Sequence, residues 1–109
     1  MAIQEWSDNI VMVNLLDDPD FSDDVTAMTE RMEKAPHNIV LDFTKVKFLN
    51  SSNISKLLKL RKTTLDAKKR LYLCGIPIQV WGVFLLTGLD TLFDVAEDPA
   101  SALASLQMK

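Results

Sequence analysis

Three short stretches of this chain are almost wholly apolar: residues 10–15, 39–43 and 71–74. Each has strand length, is dominated by aliphatic side chains and is flanked by polar or turn-forming residues, so each predicts a β-strand. Within 39–43 only Asp42 is charged, the pattern of a strand covered on both faces. Residues 3–6 and 10–15, separated by Ser7-Asp8-Asn9, predict an N-terminal hairpin, and residues 92–95 predict a last strand.

Between the strands the apolar spacing becomes helical. After the turn Asp17-Asp18-Pro19-Asp20, Ser22, Asp23 and Asp24 open a helix, because acids favour its positive first turn; Val25, Met28 and Met32 mark its inner face and Pro36 ends it. A second helix spans about residues 52–67, with Ile54, Leu57, Leu58 and Leu65 on one side and Lys56, Lys59 and Thr63 opposite. A third follows Gly75, with Pro77 in its first turn, where a missing amide hydrogen is harmless, and Gly88 as a left-handed cap. Ile76, Val80, Val83, Phe84 and Thr87 form its inward stripe, yet Ile78, Trp81, Gly82 and Leu85 lie opposite; a helix apolar all round is expected to be covered on both sides. Asp98-Pro99 starts a fourth helix that runs through Leu106. The order β-β-α-β-α-β-α-β-α with short connections predicts an α/β fold: a mixed sheet of four to five strands, mostly parallel, with an antiparallel N-terminal edge and four helices.

At 109 residues and 48% apolar content the chain has the size of one domain, spanning residues 1–109. The N-terminus lacks the basic-then-apolar plan of a signal peptide and no apolar run reaches the length of a membrane span, so a cytoplasmic protein without membrane insertion is expected. The single Cys74, in an apolar segment, reads as an inert core thiol. A net charge of −3 gives no push toward nucleic acid, but the charge is unevenly spread. Residues 1–33 carry nine acids against Arg31, and residues 45–70 nine bases against Asp66, which predicts a pronounced electrostatic polarity.

The sequence offers little for catalysis. With one histidine, His37, and one cysteine it cannot assemble a typical zinc site, and it has no Gly-x-Ser-x-Gly elbow, Walker loop or Gly-x-Gly-x-x-Gly turn. No enzyme activity, metal or cofactor is expected. Asp17 and Asp18 read as loop carboxylates that keep a turn solvated.

Residues 39–54, Ile-Val-Leu-Asp-Phe-Thr-Lys-Val-Lys-Phe-Leu-Asn-Ser-Ser-Asn-Ile, run from a strand through a short loop into a paired-serine helix start. The segment resembles the STAS domain of anti-sigma-factor antagonists, whose pattern is an apolar strand, Asp-[Phe/Leu]-Ser/Thr, an apolar-aromatic step and Asp-Ser-Ser/Thr-Gly opening a helix. Asp42, Phe43, Thr44, Val46, Phe48 and Asn50-Ser51-Ser52-Asn53 match it here. The run from Val83 through Phe93 is similar to a second pattern of the family, Val-Phe-x-x-Thr-Gly-Leu-x-x-x-Phe. Asn50 replaces the usual Asp, keeping its shape but losing the charge, and Asn53 replaces a Gly, which would crowd a docking surface.

By itself, Asn50-Ser51-Ser52-Asn53 reads as a helix cap, or as a site where a phosphoserine would meet free amides and the positive helix end. The resemblance implies the second: Ser51 as phosphoacceptor, with Ser52 as second candidate, in a partner switch with an anti-sigma factor of the serine-kinase type and a serine phosphatase. The expected contact surface combines Asn50, Ser51, Ser52 and Asn53 with Lys56 and Lys59 of the basic helix and with Trp81 and Leu85 as apolar anchors, and the Trp81 face is also a candidate homodimer surface. The alternative is an unphosphorylated STAS subunit of a transport or other regulatory complex.

Overall fold

The computed structural model describes residues 3–107. Five strands, β1 (Ile3–Glu5), β2 (Ile10–Asn14), β3 (Asn38–Asp42), β4 (Leu71–Cys74) and β5 (Asp94–Ala96), form one sheet in the order β1-β2-β3-β4-β5. β1 runs antiparallel to β2 and the other pairs are parallel, as the pattern predicts. Four helices connect or follow them: α1 (Asp20–Lys34), α2 (Ser51–Asp66), α3 (Ile78–Thr87) and α4 (Pro99–Gln107).

The pleat sorts the core into two layers. Val11 and Val13 of β2, Ile39 and Leu41 of β3, and Leu71 and Leu73 of β4 pack on one face against Phe21, Val25 and Met28 of α1, Leu57 and Leu60 of α2, and Val80 and Phe84 of α3. The alternate residues Ile10, Val40 and Cys74 face α4, where Ala102 and Leu106 cover them. Both faces of β3 are therefore apolar, which is why its run is almost uninterrupted. Phe21, Phe43, Phe84 and Phe93 form a row of edge-on ring contacts across the larger layer, with centroids 5.9, 6.1 and 6.1 Å apart.

Several boundaries and faces differ from the pattern. α1 begins at Asp20, ahead of Ser22, because the Asp18 carboxylate accepts from the Ser22 amide at 3.0 Å and so satisfies a first-turn donor from upstream. The inner face of α2 is Asn53, Leu57, Leu60 and Thr64, whereas Leu58 and Leu65 are exposed and Ile54 is half-buried. Two polar residues can sit inside because their hydrogen bonds are closed: Thr64 Oγ1 donates to the Leu60 carbonyl at 2.8 Å within the helix, and Asn53 bonds both to the cap and to the turn before α1. Pro77 is the N-cap of α3 with extended backbone, not a first-turn residue, and Gly88 is the expected left-handed cap at φ 75°. Beyond it Leu89–Thr91 form a 3₁₀ turn, so β5 starts at Asp94 rather than at residue 92, and Phe93 drops into the core. Arg61 Nε holds that turn by donating to the Leu92 carbonyl at 2.9 Å.

The two charged segments meet in the fold. Their helices α1 and α2 pack side by side, and Glu30 and Glu33 face Lys56 and Lys59 across a shared surface groove. Among the described residues no helix is long and apolar enough to cross a membrane.

Candidate functional site

The parallel strands β2 to β5 end on one rim, and the loop after β3 leads from that rim into α2. Phe43 and Val46 are fully buried and pin the loop to the core, with the Val46 amide donating to the Phe43 carbonyl at 2.9 Å. Asp42 accepts from both the amide and the hydroxyl of Thr44, turning the chain out of the strand. Farther on, Asp17 Oδ1 of the neighbouring loop accepts from the amides of Lys47 and Phe48 at 2.7 and 3.2 Å. The aspartates that read as mere solvating residues are the acceptors that hold this loop; their place just ahead of a helix start was the only signal in the sequence.

At the helix start Asn50 is the N-cap, and it makes a reciprocal capping box: the Asn53 amide donates to Asn50 Oδ1 at 2.8 Å and the Asn50 amide to Asn53 Oδ1 at 3.1 Å. Asn53 Nδ2 then donates to Asp18 Oδ2 at 3.0 Å and to Ser22 Oγ at 3.2 Å, while Asn50 Nδ2 reaches the same Asp18 oxygen at 3.3 Å. Asn53 is 3% exposed. It points into the protein and does not crowd the surface, contrary to what its replacement of a glycine suggests. The Ser22 hydroxyl, followed by the Asn53 amide, holds the Asp18 carboxyl below the usual carboxylate range.

Ser51 and Ser52, the first two residues of α2, are both exposed beside this buried lock. The capping pair uses the Asn53 amide and leaves those of Ser51 and Ser52 at the open, positive end of the helix. One turn on, Lys56 Nζ donates to Ser52 Oγ at 3.2 Å. Phe48, just before the cap, is 75% exposed, a large ring that the contact residues inferred from sequence omit. Such a junction suits an anionic group: unpaired amides, the helix dipole and a lysine converge on two accessible hydroxyls.

The remaining contact residues expected from the sequence lie farther along α2 or on α3. Lys59 is exposed two turns along α2, at the groove shared with Glu30 and Glu33. Trp81 is half-buried, stacked on Phe84 at 5.8 Å with the ring planes 18° apart, and lines a groove with Ile76, Val95 and Ala96. Leu85 is exposed, but near the far end of α3, and the adjoining Leu86 is more exposed still. Nothing here brings Leu85 to the serines.

Neither His37 nor Cys74 contributes to the junction. His37 Nδ1 lies 2.8 Å from the Ala35 carbonyl at the start of β3, and Cys74 is buried, its thiol pushed up to about 12 by desolvation and by the nearby Asp42 and Asp98. Among the described residues no group of His, Cys, Asp and Glu side chains could hold a metal ion.

Fold and junction together define a small α/β domain with an exposed serine pair at a loop-to-helix corner on the rim of a parallel sheet. The family model described as "STAS domain" matches residues 5–102, and the chain belongs to that family. A STAS domain protein from Planctomyces limnophilus, described as an anti-sigma-factor antagonist, has the same fold, with a TM-score of 0.82, 17% identity, and coverage of 98% of this chain and 99% of the other. SpoIIAA, an anti-sigma factor antagonist solved in its unphosphorylated form, gives a TM-score of 0.82 at 16% identity over 98% of this chain and 96% of its own; another description of it is a Bacillus cell fate determinant. A sulfate transporter family protein from Wolinella succinogenes gives 0.76 at 16% identity, covering 92% of this chain and 84% of the other. No curated protein sequence matches the chain significantly.

Proposed function

We propose that this protein is an anti-sigma-factor antagonist that acts by partner switching in the bacterial cytoplasm. With Ser51 unmodified it binds an anti-sigma factor of the serine-kinase type and so frees a sigma factor for transcription. Phosphorylation of Ser51 by that partner ends the complex, and a serine phosphatase restores it. The observation that carries this reading is the exposed Ser51 hydroxyl at the first position of α2, beside amides that the cap does not use. A phosphoryl group there adds about −1.5 to −2 charges at neutral pH, which repels a docked partner without disturbing the core. Ser52 is the second acceptor, and Phe48, Asn50, Ser52 and Lys56 surround the contact. Asn53 acts from below by fixing the helix start. The protein itself has no catalytic role in the switch.

The test is phosphoryl transfer from ATP by the cognate anti-sigma factor. Label should appear on Ser51 and vanish in Ser51→Ala, and Ser51→Asp should bind the kinase at least tenfold more weakly than the parent. An unlabelled parent, together with a Ser51→Asp variant that binds as tightly, rejects the switch.

A second reading rests on the cap itself. Both asparagines of the tetrad are engaged in holding the helix start, a sufficient structural role for the motif without phosphorylation. The protein would then be an unphosphorylated STAS subunit of a transport or other regulatory complex. Affinity capture from native lysate separates the two, recovering kinase-like proteins under the first reading and membrane transport components under the second.

A further inference from the structure

Helix α3 presents an apolar stripe that its own fold leaves uncovered. Ile78 is 85% exposed, Leu85 55% and Leu86 90%, and at 100° per residue these three and Gly82 fall within one face about a quarter-turn wide. Trp81, which the sequence places on that outer face, has instead turned inward onto Phe84, so the stripe is more regular than the pattern of apolar residues suggests. Its centre is Gly82. A Cβ there would meet nothing within 4 Å, so no packing inside the domain explains the glycine. It leaves a shallow notch in the middle of the helix, where another backbone can approach.

We propose that this stripe is a homodimer seam, in which α3 of two copies cross antiparallel about a two-fold axis at Gly82. Ile78 and Leu86 lie four residues to either side of Gly82, so the rotation that brings glycine to glycine sets Ile78 of one copy against Leu86 of the other, twice. A surface that is its own complement under a two-fold rotation favours a second copy over an unrelated partner. The charge distribution agrees. No charged residue occurs between Gly75 and Leu89, so two copies approach along α3 without like-charge repulsion. At each end the antiparallel arrangement carries Asp90 of one copy toward the positive start of the other's α3. Exposed Lys45 lies on that same rim, next in the chain to Thr44, which sits against Gly75.

The seam is independent of the serine switch, and Ser51→Asp should leave it intact. Sedimentation equilibrium of the parent from micromolar to submillimolar concentration should show a transition from 12.3 kDa to twice that mass. Leu86→Glu, at a position with no internal packing to lose, should hold the mass at the monomer value and leave the Tm unchanged at low micromolar concentration, where the parent is monomeric too. Disulfide trapping fixes the geometry, because buried Cys74 does not compete. Gly82→Cys should cross-link to itself, and Ile78→Cys should cross-link to Leu86→Cys in a mixture more than tenfold faster than either does alone. A parent that stays monomeric throughout, including one whose stripe binds a helix of another protein, overturns the proposal. So does a dimer that survives Leu86→Glu and fails to trap at Gly82.

Discussion

Asp18 and Asn53 lie thirty-five positions apart and meet in a hydrogen bond of 3.0 Å, the amide Nδ2 donating to the carboxylate Oδ2. Through it the turn before α1 fixes the start of α2, because Asn53 is also half of the capping box that orients Ser51 and Ser52. The exposed serines thus sit on a rigid corner built by residues that do not themselves face a partner.

Replacing Asn53 with Ala should lower unfolding stability by about 1–3 kcal/mol in urea denaturation, since it removes the reciprocal cap and the shorter of the two side-chain amide bonds to the Asp18 carboxylate. Hydrogen exchange should show faster opening in the first turn of α2 than in β3. An equal loss of protection in both would mean that the cap does not act locally.

Acid should loosen the same corner. The Asp18 carboxyl is held below its ordinary value of 3.8, so its stabilising contribution is complete above that value and is lost as the pH falls through the lower folded one. Buried Asp24 runs the other way: desolvation raises its carboxyl above 3.8, so its ionisation costs stability as the pH rises through the folded value. Stability measured from pH 6 to pH 2 in Asp18→Asn should therefore fall less steeply than in the parent, and in Asp24→Asn more steeply.

Gly75 connects β4 to α3 at φ 64°, and a Cβ there would stand 2.5 Å from Thr44 Oγ1 and 3.0 Å from Asp42 Oδ1. Gly75→Ala should cost about 1–3 kcal/mol from the left-handed backbone and the clash together. Adding Thr44→Ala should restore part of that in thermal melts, because it relieves the steric component alone. Full recovery would show that the backbone is not strained.

Much of this architecture is legible in the chain. Strand-length apolar runs, the acidic first turn of α1 and Gly88 fall where local chemistry puts them, because a buried strand or a helix cap draws on neighbours a few residues away. The misplaced faces share a cause. Leu58 and Leu65 carry the periodicity of an inner face, yet Asn53 and Thr64 take that face, since a polar side chain can be buried once its hydrogen bonds are closed. The start of β5 moved because a 3₁₀ turn absorbed residues after Gly88.

Order and type of the elements, the position of the serine pair at a helix start and the apolar character of α3 were determined by the sequence alone, since periodicity and capping are local properties of the chain. Only the tertiary structure decided that Asn53 turns inward to Asp18, that Trp81 folds down onto Phe84, and that Ile78 and Leu86 remain in solvent. Each of those outcomes depends on which distant surface meets a given side chain, and spacing along the chain carries no information about that.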